Sequence, residues 1–144
     1  MEKSKLQKDL KIASPNLHPT SFVAKGAQII GDVELKSYAS VWYNCVLRAD
    51  INKVIIGERS NIQDNSTIHL ENDLGGQVGN DVTVGHNVIL HGCNIENGAL
   101  IGMGSIIMNG VKVGKGSIIG AGSVVTKSVS SSVTVIGNPA REKE

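Results

Sequence analysis

An aliphatic residue recurs every six positions along most of this 144-residue chain. Three irregular steps, of nine residues after Leu47, ten after Ile68 and five after Leu90, interrupt the period. The series runs Val23, Ile29, Leu35, Val41, Leu47, Ile56, Ile62, Ile68, Val78, Val84, Leu90, Ile95, Ile101, Ile107, Val113, Ile119 and Val125. An α-helix repeats every 3.6 residues and would scatter these positions around its circumference, so the period excludes a helical bundle. Short strands joined by tight corners fit a period of six.

Small or β-branched residues follow four positions after the aliphatic residues, as at Ala39, Ser66 and Val88. Both positions have the same parity, so both can face the inside of a strand-built prism. Gly, Asn and Asp near the corners supply the backbone freedom of a bend. Three hexads make one triangular coil of about 18 residues, and coils stack about 4.8 Å apart. The sequence therefore predicts an all-β parallel β-helix of about five to six triangular coils.

The repeat predicts one β-helix domain over residues 1–144. Residues 1–20 would approach and cap the first coil, residues 21–130 would form the hexapeptide coils, and residues 131–144 would form the C-terminal exit. Residues 71–77, ENDLGGQ, would form a loop that interrupts the coils. Aromatic residues are only 3% of the chain, so β-branched and other aliphatic side chains must fill the core.

Charge and cysteine content exclude several classes of partner. Lys and Arg number 14 and Asp and Glu 13, which gives a net charge of +1 and no basic field for nucleic acid or a membrane surface. No apolar run reaches the roughly 20 residues of a membrane span, and the charged N-terminus lacks the apolar segment of a secretory signal. Two cysteines fit a reducing compartment. We therefore expect a cytoplasmic protein.

Two histidines occupy equivalent positions in successive coils. His69 follows Ile68, His91 follows Leu90, and these two hexads are one full coil apart. Their backbones should lie about 4.8 Å apart with both side chains outward. Two imidazoles so arranged can converge on one metal ion at about 2.1 Å each.

A third histidine lies on the preceding side of the prism. His86 is the second residue after Val84, and a corner separates it from His91. We expect that His86 does not complete the site within one chain. Threefold packing of prisms would bring it from a neighbour, which gives three interfacial metal sites per homotrimer. His18, in a turn before Pro19, is expected to be a surface residue.

Further polar residues fall near the histidine columns. Arg48 lies one coil before His69 in the same column, and Asp50 follows two residues later. Asp64 shares the column of His86, and Gln63 precedes it. Arg48, Asp50 and Asp64 are interpreted as ion-pairing residues that join subunits, because Arg binds carboxylates through two bonds.

Together these segments resemble the γ-class carbonic anhydrases over about residues 15–140. The matching segments are Arg48-Ala49-Asp50, Asn61-Ile62-Gln63-Asp64, His69, His86, Leu90-His91-Gly92-Cys93 and Ile101-Gly102-Met103-Gly104. The resemblance implies a left-handed β-helix, a homotrimer, and Zn²⁺ bound by His69, His86 and His91, with Fe²⁺ or Co²⁺ as alternatives. It also implies that Gln63 orients the reacting hydroxide, and that Arg48, Asp50, Asn61 and Asp64 lie around the site or at the interface. Related chains carry a C-terminal helix, for which the residues after the last coil leave no room.

The implied reaction is the reversible hydration of CO₂ to bicarbonate, a lyase reaction. Three neutral imidazoles leave a coordination position open, and the ion lowers the pKa of its water toward 7. Catalytic members of the family carry a Glu directly after the Arg-x-Asp segment, where this chain has Ile51. They also carry a proton-shuttle Glu in a longer loop, for which Glu71 and Asp73 are the candidates here. Because positioned proton transfer contributes roughly 10²–10⁴-fold, we expect weak activity.

Three other functions fit a hexapeptide-repeat chain. One is an acyltransferase that uses coenzyme A, which usually needs one histidine as base and a groove for the pantetheine arm. The second is a metal-dependent thioesterase on the same site. The third is a non-catalytic trimeric subunit stabilised by zinc. Three histidines in a metal-like pattern argue against the acyltransferase, and metal content distinguishes it from the others.

Overall fold

A computed structural model describes residues 12–143, and its regular structure in that range consists of short β-strands. The strands are β1 Asn16–Leu17, β2 Phe22–Val23, β3 Gln28–Leu35, β4 Ser40–Val41, β5 Val46–Ile56, β6 Asn61–Ile62, β7 Thr67–His69, β8 Gly76–Val78, β9 Thr83–Val84, β10 Ile89–His91, β11 Asn94–Ile95, β12 Leu100–Ile101, β13 Ile106–Ile107, β14 Lys112–Val113, β15 Ile118–Ile119, β16 Val124–Val125, β17 Thr134–Gly137 and β18 Ala140–Glu142. Within residues 12–143 no helix has the length and apolarity to cross a bilayer.

The strands stack in parallel to form the three faces of a prism, which the chain visits in turn. The first face contains β1, residues 33–35 of β3, residues 54–56 of β5, β8, β11 and β14. The second face contains β2, β4, β6, β9, β12, β15 and β17. The third face contains residues 28–31 of β3, residues 46–49 of β5, β7, β10, β13 and β16. The predicted parallel β-helix is confirmed.

The coils extend further at both ends than the sequence-based boundaries. The second face alone has seven parallel rungs, β2 to β17, so the β-helix has about seven turns instead of five to six. Strand β1 already pairs with β3 inside the segment that was predicted to be a cap, and β17 pairs with β15 inside the predicted exit. Residues 1–11 of the predicted cap and Glu144 of the predicted exit lie outside the described residues.

The hexad aliphatics form one continuous column of apolar side chains inside the prism. Ile56, Ile62, Ile95, Ile101 and Ile107 are fully buried. Burial of each such side chain contributes roughly 1.5–3 kcal/mol relative to exposure. Buried serines occupy the position four residues later and satisfy the backbone of the next coil. The Ser66 hydroxyl, for example, donates to the Gly85 carbonyl oxygen at 3.0 Å and accepts from the Val88 amide at 3.1 Å.

Glycine is common at two positions of the hexad, and each position favours it for a different structural reason. Residues three positions after the aliphatic lie at the corners in the left-handed region, including Asn65 (φ 61°), Asn87 (φ 55°) and Gly104 (φ 71°). Glycines directly after the aliphatic, such as Gly102, do not have a positive φ. A Cβ on Gly102 would lie 2.6 Å from the backbone nitrogen of Ala121 in the next coil. This second class therefore serves close coil stacking rather than the bends.

The predicted loop leaves the prism directly after β7. It is shorter than residues 71–77, because Gly76 and Gln77 already belong to β8. The Glu71 amide donates to the Leu74 carbonyl oxygen at 3.1 Å, which closes the loop on itself. Strand β5 contains an insertion, because Leu47 and Ile56 are nine residues apart where the period is six. The side chain of Asn52, in this insertion, donates to the Asn72 carbonyl oxygen at 2.8 Å. The loop is thus held beside the third face.

Candidate metal centre

Two imidazoles meet on the outside of the third face. His69 ends β7, His91 ends β10, and the two residues are register partners in adjacent coils. Nδ1 of His69 lies 3.1 Å from Nε2 of His91. The stacked position that the hexad spacing predicted is confirmed, because three hexads make one coil and parallel pairing keeps equivalent residues adjacent.

The opposite nitrogen of each ring has its own oxygen partner. Nε2 of His69 lies 3.0 Å from Oδ1 of Asp50, and Nδ1 of His91 lies 2.5 Å from Oδ1 of Asn109. Histidines that bind metals usually donate their other ring N–H to a carboxylate or carbonyl in this way. Each ring is therefore held by its outer nitrogen while its inner nitrogen faces the other ring.

The pair fits a divalent cation of the zinc type. Two ligand nitrogens at about 2.05 Å in tetrahedral geometry are about 3.3 Å apart, close to the His69–His91 separation. The donors are borderline-soft imidazoles, which suit Zn²⁺, Fe²⁺ and Co²⁺ better than Mg²⁺ or Ca²⁺. Two nitrogens alone do not make a closed site, because a structural zinc site has four ligands.

Arg48 supports the His69 ring through Asp50. Its guanidinium donates to Oδ2 of Asp50 at 2.5 Å, while the other carboxylate oxygen contacts His69. Partial burial of Asp50 would raise its pKa, but hydrogen bonds from Arg48 and His69 outweigh burial and hold the pKa below its usual value. Arg48 and Asp50 thus pair within one chain, and their predicted role between subunits stays a prediction.

A second group of polar residues lies on the second face, across the corner that contains Asn65 and Asn87. Nδ1 of His86 lies 3.0 Å from Oδ2 of Asp64. The Gln63 amide nitrogen donates to Oδ1 of Asn61 at 3.0 Å. These four side chains line a shallow groove together with Ser40, Trp42 and Thr83. His86 remains half-exposed there.

The structure does not bring the three histidines together within one chain. Among residues 12–143, no group of three or more His, Cys, Asp or Glu side chains is arranged to hold a metal ion. That a neighbouring chain supplies His86 stays a prediction. Cys93 is near His91 in sequence but lies in the core, where burial raises the pKa of its thiol to about 12.

The candidate proton shuttles lie in the loop after β7. Both are exposed, and Oε1 of Glu71 is 3.9 Å from Nδ1 of His91. Ile51 is also exposed and carries no proton-transfer group. Asn109 was missed by the sequence analysis, because it lies two positions after the hexad aliphatic and not one. The sequence feature that could have revealed Asn109 is the glycine after it, Gly110, at a corner of the coil. The Gly110 amide donates to the carbonyl oxygen of Gly92, the residue after His91.

One repeat-family model matches this chain, and a solved structure covers most of it. The family described as bacterial transferase hexapeptide (six repeats) matches residues 92–127. A crystal structure from Bacillus cereus, described as a putative acetyltransferase, is 42% identical with a TM-score of 0.91, covering 93% of this chain and 79% of that one.

Curated relatives carry a more specific name. Gamma carbonic anhydrase 1 of Arabidopsis thaliana, a mitochondrial protein, is 45% identical over 98 residues, which cover 64% of this chain and 36% of the relative. A probable carbonic anhydrase of Methanocaldococcus jannaschii is 48% identical over 81 residues, covering 56% of this chain and 51% of the relative. The matched segments thus span about a third to a half of these relatives. The fold and the similarities define a hexapeptide-repeat protein. The chain belongs to this hexapeptide-repeat family, and over the matched segments it is similar to proteins named carbonic anhydrase.

Proposed function

We propose that the protein is a carbonic anhydrase-like metalloenzyme that hydrates CO₂ at a three-histidine centre between subunits of a homotrimer. The observation that carries the proposal is the pair of facing nitrogens on His69 and His91, each ring held from behind by an oxygen acceptor. Zn²⁺ is the proposed ion, with Fe²⁺ or Co²⁺ as alternatives.

The two groups of polar residues act as complementary half-sites. The third-face half-site contains His69, His91 and Asp50, and the second-face half-site contains His86, Gln63 and Asp64. They flank one corner of the prism, so a threefold arrangement joins one subunit's third face to its neighbour's second face three times. Each interface then receives two histidines from one chain and one from the other.

Apolar side chains around the half-sites support this association. On the second face, Trp42 and Met103 are 37% and 59% exposed, and Phe22 packs against Trp42 with ring centroids 5.2 Å apart. On the third face, Ile89 and Met108 are 42% and 45% exposed. Apolar side chains concentrated on two adjacent faces are typical of a surface that a partner covers.

The chain's own residues would position the reactants. A divalent ion bound there would supply Lewis acidity and activate a water at neutral pH. Asn61 engages the amide nitrogen of Gln63, which leaves the Gln63 carbonyl oxygen as an acceptor that can orient the water. Asp50 and Arg48 hold the His69 ring. Because Ile51 replaces an acidic residue, proton removal depends on Glu71 or Asp73, and we expect slow turnover.

Metal content and mass in solution test the proposal. The protein is purified anaerobically, metal per chain is measured by mass spectrometry, and the oligomer is sized by light scattering. We expect about one Zn²⁺ or Fe²⁺ per chain in a trimer. A His86→Ala variant should lose the metal and the CO₂ hydration measured by stopped flow. A trimer that takes up no metal would contradict the proposal.

Acyl transfer is the second candidate, because the similar Bacillus cereus structure is described as a putative acetyltransferase. Titration with coenzyme A separates the two functions. Binding of coenzyme A without bound metal would favour acyl transfer. Bound metal without CO₂ hydration would favour a thioesterase, if thioesters are cleaved, or a zinc-stabilised structural subunit, if they are not.

A further inference from the structure

The side chain of Asn109 connects His91 to the loop after β7. Its Oδ1 lies 2.5 Å from Nδ1 of His91, and its Nδ2 donates to Oε1 of Glu71 at 3.0 Å. Neither Asn109 nor this connection is part of the three-histidine set or of the groove around His86. The two contacts use both ends of one amide group.

The backbone of the corner brings Asn109 to this place. The Gly92 amide donates to the His69 carbonyl oxygen at 3.0 Å, and the Gly110 amide donates to the Gly92 carbonyl oxygen at 2.8 Å. Three successive coils are thereby stacked at this corner. Gly110 has a φ of 72°, which turns the chain directly after Asn109. Asn109 consequently lies beside His91, one coil further on.

The Glu71 carboxylate determines which way the amide of Asn109 points. An ionised carboxylate only accepts hydrogen bonds, so the NH₂ group of Asn109 must face Glu71 and the carbonyl oxygen must face His91. That oxygen also only accepts, so Nδ1 of His91 must carry the ring proton. In the neutral imidazole the other nitrogen, Nε2, is then unprotonated.

The unprotonated Nε2 is the nitrogen that faces His69. Asp50 likewise accepts a hydrogen bond from the Nε2–H of His69, which leaves Nδ1 of His69 unprotonated. Two lone pairs therefore face each other with no hydrogen between them, an arrangement that repels until a cation enters. We infer that Asn109, oriented by Glu71, is the positioning residue that fixes the tautomer of His91 for metal binding. This inference rests on the proposed function.

The tautomer of His91 can be measured without any metal. Full-length protein labelled with ¹⁵N-histidine is stripped of metal, and long-range ¹H–¹⁵N spectra are recorded well above the ordinary pKa of imidazole. A His91→Gln variant assigns the signals. We expect His91 to be protonated on Nδ1, and we expect Asn109→Ala to shift it toward the Nε2-protonated form. An Nε2-protonated His91 in the wild type, or no change in Asn109→Ala, would overturn the inference.

The affinity for Zn²⁺ gives a second test of the role of Asn109, and a paired variant tests whether the lost affinity can be restored. Competition with a chelator should show Zn²⁺ binding about 10- to 100-fold weaker in Asn109→Ala. The paired variant Asn109→Asp with Glu71→Gln exchanges the donor and the acceptor, keeps an oxygen toward His91, and should restore most of the affinity. Asn94→Ala, an exposed change on the first face, is the matched control and should bind as the wild type does.

The two claims fail in different ways. Wild-type protein that binds no Zn²⁺ but shows the Nδ1-protonated His91 would overturn the proposed function and support only the tautomer that Asn109 fixes. If the Asn109→Ala variant binds Zn²⁺ as tightly as the wild type does, the role of Asn109 is overturned and the metal centre stays intact.

Discussion

The rings of His69 and His91 are 5.1 Å apart between centroids, and their planes are inclined by 58°. Register partners in a parallel ladder would project identical atoms in the same direction if their side chains were superposable. The inclination breaks that equivalence, so one ring presents Nδ1 and the other Nε2. Different oxygen partners, Asp50 and Asn109, hold the two orientations.

Subunit mixing should show that each metal centre combines the third-face half-site of one chain with the second-face half-site of another. His69→Ala damages only the third-face half-site and His86→Ala only the second-face half-site. Each variant alone should bind almost no metal. When the two are co-refolded in equal amounts, about a quarter of the interfaces should regain three histidines, with that fraction of the metal and activity. No recovery in mixed trimers would place the site within one chain.

Removal of the metal should weaken the assembly as well as any activity. A ligand that binds only the assembled state at 100 times its Kd adds about 2.7 kcal/mol of stability. A strong chelator should therefore lower the unfolding temperature of the wild type and shift its mass in light scattering toward single chains. The His86→Ala variant already lacks the ion and should not respond. An equal response of both proteins would mean that the chelator acts elsewhere.

Two adjacent residues of β11 should differ widely in their contribution to stability. Ile95 is fully buried in the core and Asn94 faces outward on the first face, away from both half-sites. Ile95→Ala should lower the free energy of unfolding by about 2–5 kcal/mol, because it leaves a cavity between coils. Asn94→Ala should stay within about 0.5 kcal/mol. Urea unfolding at one fixed protein concentration measures both.

The two classes of glycine should respond differently to alanine. In Gly102→Ala the new Cβ would lie 2.6 Å from both the Ala121 nitrogen and the Ile119 oxygen, so the coils must separate. In Gly104→Ala the nearest atom is 3.9 Å away, and the cost is only that of a left-handed backbone, roughly 1–2 kcal/mol. We expect Gly102→Ala to be clearly the more destabilising in thermal unfolding. Equal losses would contradict the close-stacking explanation.

The hexad period was sufficient to predict the β-helix, because coil length and strand alternation together determine which side chains face inward. The same period also extends to β1 and β17, the end strands that the prediction left out of the coils. Leu17 lies six residues before Val23 and pairs with Leu35 in the next coil. At the other end Val135 pairs with Ile119, six residues after Val129, and one short step of four residues from Val125 to Val129 hides the period.

The site was predictable where it depends on register and unpredictable where it depends on side-chain reach. His69 and His91 occupy the same position in their hexads, so the ladder brings them together. Asn109 occupies a different position in its hexad, and its contact depends on the turn at Gly110 and on the path of the loop. The contact of Asp50 with His69 arises from the insertion in β5, whose path no hexad spacing describes.

Among the pairings of residues 12–143, β17 and β18 form a hairpin that is antiparallel and follows the parallel rungs of the second face. A parallel stack of nearly identical rungs presents, at its terminus, a template onto which another chain could add in register. The reversed direction of β18 removes that match, and the exposed side chains of Arg141 and Glu142 add charge beside it. A further parallel strand therefore finds no free edge on β17, which pairs with β15 on one side and with β18 on the other.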